Sequence, residues 1–160
     1  METPDKTTID QWHRRFAVEC NNTGWDLTAL PERTTAQNDE MLDAAHAAAF
    51  HWNRVGKPIN AARAWILLAH AHALSGDGAQ AMNYARRTLD FCRENADQCQ
   101  PWDIAFAHLE MALAAATCAN DIEHAFHYRV ARELGADLSD RERRAFEEEF
   151  GRVPAPPPES

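Results

Sequence analysis

Residues 58–89 read PINAARAWILLAHAHALSGDGAQAMNYARRTL, and their punctuation decides the fold. Pro58 stands where a first helical turn favours it, because the N–H that proline lacks would have no partner there. No glycine or second proline interrupts the chain from there to Leu74. Ser75-Gly76-Asp77-Gly78 then breaks the helix, and a second helix is expected from Ala79 to about Asn95. A break this short brings the chain back alongside itself, so the two helices run antiparallel as a hairpin.

The same punctuation extends outward in both directions. Upstream, a helix is expected from about Ala36 to Val55, stopped by Gly56. A first helix is expected from Ile9 to Asn22, with Thr8 as its cap and Gln11 three residues on. Asn21-Asn22-Thr23-Gly24 reads as its end, and a short segment, Trp25 to Leu30, leads to Pro31. Downstream, Pro101 opens a helix that continues to Cys118. Asn120 caps the next, with Glu123 completing a capping box, and that helix ends near Leu134-Gly135. A last short helix follows Ser139, whose box partner is Glu142. No alternating stretch reads as a strand. The expectation is an all-α chain of about seven antiparallel helices, one domain over residues 1–152, and a disordered proline-rich tail over 153–160.

The central hairpin repeats. Leu74-Ser75-Gly76-Asp77, with Ala81 and Tyr84, aligns with Cys118-Ala119-Asn120-Asp121, with Ala125 and Tyr128. Trp65, Leu68, Ala69, Gly76, Asp77, Ala81 and Leu89 fall at the spacing of the tetratricopeptide signature, and on these residues the chain resembles that helical-repeat family. The second copy, from about Ala105 to Gly135, fits through Leu109, Ala112, Asp121 and Ala125; Leu113 stands where the family wants a small residue, and Asn120 replaces its glycine. The chain also resembles small bacterial proteins of this size. The resemblance covers about half the sequence and implies a right-handed stack of hairpins, TPR-like in shape. It implies little about activity. It does imply a concave face lined by the first helix of each pair: Arg63, Ile66, His70 and Ala73, then Ala107, Glu110, Ala114 and Thr117. Such a face suits a peptide or helix lying in a groove, or a second copy of the chain.

Composition narrows the classes further. The 160 residues carry a net charge of -9, which argues against nonspecific binding to nucleic acid or to an anionic membrane. The longest apolar stretch, Ala64 to Ala69, is too short to cross a bilayer. The opening Met1-Glu-Thr-Pro-Asp-Lys has no apolar segment, so no secretory leader is expected and the cytoplasm is the expected location. Thirty alanines supply helix propensity without bulk, which lets helices approach closely. Cys20, Cys92, Cys99 and Cys118 show no Cys-x-x-Cys spacing and are expected as reduced thiols. No cofactor motif is present.

Eight histidines are the residues to examine for chemistry. Asp43 and His46 share a face of their helix, and folding that helix onto the next brings them roughly level with His70. Asp43, His46 and His70, with Glu110 nearby, are therefore the candidate metal site or carboxylate-oriented base. The Glu123-His124-x-x-His127 run lacks the order of a zinc-protease motif. Asn21, Asn22 and Trp25 form a candidate ligand corner, where amides beside an aromatic ring grip a polar ligand; cap and packing roles are the simpler reading. The preferred role is a noncatalytic interaction module, and the metal or general-base site is the alternative.

Overall fold

The computed structural model describes residues 5–158. Among them lie seven α-helices and no strand: α1 (Lys6–Thr28), α2 (Thr35–Val55), α3 (Pro58–Leu74), α4 (Gly78–Glu94), α5 (Pro101–Thr117), α6 (Asp121–Ala136) and α7 (Asp140–Phe150). No helix among the described residues is long and apolar enough to cross a membrane. Each of α3 and α5 opens on its proline, as the sequence predicts.

The first helix departs from expectation at both ends. Its cap is Asp5, whose carboxylate accepts the Thr8 N–H at 2.8 Å, one turn before the expected cap. Nor does it stop at Asn21-Asn22-Thr23-Gly24; it runs on through Trp25 to Thr28. Gly24 is there for packing. A Cβ at that position would come within 2.8 Å of Leu67 Cδ2 on α3, so glycine lets the two helices approach. Packing overrides the weak helix propensity of the segment.

Successive helices pack against one another, and α3 also packs against α1 and α5, while α7 packs on α5 and α6. The result is an inner row of α1, α3, α5 and α7 backed by an outer row of α2, α4 and α6. The central inner helices show the physical reason. On α3 the residues Ala62, Ala64, Ile66, Leu67, Leu68, Ala69, Ala71 and Ala73 are all buried, which leaves almost no solvent face. On α5 only Phe106 and His108 stay partly exposed between Ala105 and Ala115. Helices that are apolar all round belong in the middle, and alanine keeps their axes close.

The two central hairpins repeat their punctuation after 43 residues, from Pro58 to Pro101. Ser75 and Cys118 are matching C-caps, Gly76 and Ala119 share a left-handed backbone (φ 81° and 54°), and Asp77 and Asn120 are matching N-caps. This is one residue off the alignment read from the sequence, which pairs Tyr84 with Tyr128. Burial agrees with the caps: Ala81, Thr88 and Cys92 on α4 correspond to His124, Ala131 and Gly135 on α6, all buried. The sequence alignment followed similar letters, whereas the turn is fixed by where the backbone must reverse.

The last helix sits as a cap on the final hairpin. Phe146 is 1% exposed; its ring meets Phe106 edge-on at 5.4 Å and stacks with Phe150 at 5.5 Å. It also lies against Gly135, where no side chain would fit. Burying that ring contributes about 2–3 kcal/mol. The expected disorder from Val153 onward does not begin there. Val153 is buried in the same cluster, and the Pro154 carbonyl accepts a hydrogen bond from His124 Nε2 at 2.8 Å. One apolar side chain and one carbonyl are enough to fix the start of a segment that its prolines alone mark as extended.

Candidate functional site: an aromatic pocket on the inner row

A cavity of about 580 Å³ opens on the inner row, bounded by α1, α2, α3, α5 and α7. Its walls are Trp25, Trp52, Trp102, Phe106 and Ile66, with Asn21, Asn60, Arg63 and Ala64 between them, and Arg141, Glu142, Ala145, Glu148 and Glu149 of α7 along one side. Three of the five tryptophans of the chain therefore face one space. Its volume falls in the range of pockets that take small ligands or anchoring side chains.

Two polar devices frame it. On the α5 side, Arg63 grips Asp103 with both ends of its guanidinium, Nε to Oδ1 at 2.8 Å and Nη2 to Oδ2 at 3.0 Å. Asp103 is almost fully buried, and its Oδ2 also accepts the Gln100 N–H that starts α5. The Arg63 guanidinium lies 4.5 Å over the Trp102 ring, so one contact orders both the cation and the pocket wall. Beneath the pocket, one turn beyond Ile66, His70 is fully buried. Its Nδ1 donates to Glu110 Oε1 at 2.9 Å, and its ring lies 5.4 Å from Trp25. Its Nε2 has no hydrogen-bond partner and faces Glu149 of α7 at 3.7 Å. Burial disfavours the His70 imidazolium, but the carboxylates of Glu110 and Glu149 outweigh it, and the net shift is upward. Burial likewise raises Glu110 against the pull of His70.

The sequence-derived residues divide accordingly. Arg63 and Ile66 of the expected concave face line the pocket. Ala73, Ala107 and Ala114 are instead buried between helices, His70 and Glu110 are spent on each other, and Thr117 is half-buried at the end of α5 with its hydroxyl on the Leu113 carbonyl. For the second copy the corrected register explains it: Arg63 corresponds to Phe106, one residue before the expected Ala107. Asn21 and Trp25, four apart on α1, reach the pocket together, whereas Asn22 faces a shallow depression with Gln11, Arg14 and Glu19. Trp52, Trp102 and α7 were missed. The signal was available in tryptophans just inside helix ends, but only packing puts them in one place.

Asp43, His46 and His70 do not converge. His46 meets His72 instead, Nε2 to Nε2 at 3.2 Å, and Asp43 is exposed. His70 and His72, two residues apart and so about 200° round the helix, point to different sides of α3: His70 meets Glu110 of α5, and His72 meets His46 of α2. Among the described residues no three His, Cys, Asp or Glu side chains stand close enough to hold a metal ion.

Histidines pair twice more: His13 with His51 at 2.7 Å, and His108 with His127 at 2.8 Å, in each case through Nδ1. In every pair one ring donates and the other accepts, which requires at least one neutral imidazole. Burial and the neighbouring His127 push His108 down to about 4. His13 is engaged by His51, and burial raises the Cys20 thiol. Cys92 and Cys99 are free thiols in contact, 3.1 Å apart, and burial beside Cys99 raises Cys92 to about 12.

Comparison with models of protein families, with curated proteins and with solved structures gave no match. The argument about function therefore rests on the site itself.

Proposed function

We propose that the protein is a noncatalytic, TPR-like binding module of the cytoplasm whose inner row of helices receives a segment of a partner protein. An apolar side chain of that segment fills the pocket bounded by α1, α2, α3, α5 and α7. The observation that carries this reading is the convergence of Trp25, Trp52 and Trp102 from three helices on one cavity. Large rings with few rotatable bonds make strong anchors at low entropic cost. Ion-paired Arg63 and the acidic side of α7 give the polar rim that sets orientation.

The test is selection of displayed peptides on the tag-free protein, repeated on Trp52→Ala and Phe106→Ala. Enriched peptides should share an apolar anchor, quench tryptophan fluorescence, and bind Trp52→Ala at least tenfold more weakly. Peptides that bind both variants as well as the parent would move the interface off the pocket. The mass in solution, measured alongside, tells whether the first partner is a second copy.

One observation favours a second, catalytic reading. Glu110 orients His70 through Nδ1 and leaves Nε2 without a partner, as an oriented general base requires. His70 is nonetheless fully buried beneath the pocket, with Glu149 in front of it, so substrate would reach it only after α7 moved. The binding reading needs no such step.

A further inference from the structure

The seam between α5 and α6 carries chemistry that its position does not require. After the 43-residue repeat, His108 and His127 correspond to Trp65 and Tyr84 of the preceding hairpin, where Arg87 lies over both rings and the imidazole, His72, stacks on Tyr84 from another position of α3. Glu123 is equally out of place. It stands three residues after the Asn120 cap, where a glutamate normally returns a bond to the cap N–H, as Glu142 does for Ser139 at 3.3 Å. In α6 only the forward bond from Glu123 N–H to Asn120 is made, and the Glu123 carboxylate instead accepts the Nε2–H of His127 at 3.0 Å.

We infer that His108 and His127 form a divalent transition-metal site across the α5–α6 seam, with Glu123 as the positioning residue that presents His127 to the metal. With Nε2–H held by Glu123, the lone pair of His127 lies on Nδ1, which faces His108 Nδ1 at 2.8 Å. Metal–nitrogen bonds of about 2.0–2.1 Å to both atoms subtend an angle of about 86°, a cis pair in the tetragonal or octahedral geometry of copper(II) or nickel(II). The proton now shared between the two Nδ1 atoms must leave, and His108, half-buried, takes one up on its other nitrogen from water, so both rings stay neutral. A carboxylate behind a ligating histidine is the usual outer partner in metal sites. With two protein ligands, water fills the remaining positions. Arg86 is felt at His127 and opposes a cation, and Glu123 offsets it. The other two pairs lack this support: His51 has Arg54 nearby, and His72 Nδ1 stands 3.5 Å from Asp77 without a hydrogen bond.

The experiment adds nickel(II) to the tag-free, chelator-treated full chain and follows imidazole nitrogens by NMR, with calorimetry in parallel. Below one equivalent, His108 and His127 signals should broaden before those of the other six histidines. Glu123→Gln should weaken binding about tenfold while the metal-free melting temperature stays within a degree or two. His108→Asn should abolish this binding event. Three results would each overturn the inference: no binding at millimolar nickel, broadening that begins at another histidine, or unchanged affinity in Glu123→Gln. Because Glu123 lies at the surface of α6, its variant keeps the test decisive even if His108→Asn folds poorly.

Discussion

The α3–α4 and α5–α6 hairpins are one backbone built twice with different chemistry. Both open on proline and reverse through a left-handed residue into an Asx cap. Yet the first fills its seam with Trp65, Arg87 and a Tyr84–His72 stack, and the second with His108, His127 and Glu123. The difference teaches that the turn and its caps fix the hairpin, while the seam tolerates different side-chain chemistry. The inner faces differ too. His70 of the first hairpin and Glu110 of the second face each other, so the contact between the two copies is polar and buried while each copy is largely apolar within.

That contact should be the most sensitive point of the pair. His70→Ala or Glu110→Ala strands a buried polar group, and each should cost about 3–5 kcal/mol. Replacing both with leucine should recover most of the loss, since an apolar pair of similar volume removes the desolvation cost. Denaturant midpoints at unchanged slope check this, and equal losses in the double and single variants would show that the pair contributes shape alone.

Acid should bear harder on the second seam than on the first, where burial and the neighbouring His46 also lower His72. The folded His108 binds a proton less readily than the unfolded chain, so its stabilisation is complete above the unfolded value near 6.5 and drains as pH falls toward about 4. The loss should be about 1–2 kcal/mol, less than the full shift implies because His108 is only half-buried. Grafting the first seam onto the second, His108→Trp with His127→Tyr, should flatten this part of the melting-temperature profile in chelator-treated protein. A profile unchanged by the graft would place the acid sensitivity elsewhere.

The turns should show the smallest effect. Ala119→Gly relieves a left-handed residue that carries a Cβ and should stabilise by up to about 1 kcal/mol. Gly76→Ala, at φ 81°, should cost about as much. Thermal melts of the two single variants and of the double swap test whether the turns are interchangeable.

Helix number, order and hairpin pairing were legible because proline, glycine and Asx caps act locally, within a turn of where they stand. Pro58, Pro101, Ser139 with Glu142, and the break at Ser75–Gly78 all do in the structure what their neighbours imply. Signals that compete with packing misled. Asn21-Asn22-Thr23-Gly24 reads as a stop, but Leu67 on another helix needs that glycine. Glu123 reads as a box partner, but His127 takes it. The site was legible only in pieces. Arg63, Ile66, Asn21 and Trp25 were on the page as candidates from two unrelated arguments, and the fold puts them in one pocket.

The sequence alone thus determined an all-α chain of about seven helices in antiparallel hairpins, because helix starts, stops and short reversals are set by backbone hydrogen bonding and φ preferences close to each residue. Only the tertiary structure decided which faces meet. A shift of one residue turns a helix face by about 100°. The one-residue gap between Ala107 and Phe106 is therefore the gap between a buried contact and a pocket wall, and the two-residue gap between His70 and His72 that between a carboxylate partner and an imidazole one.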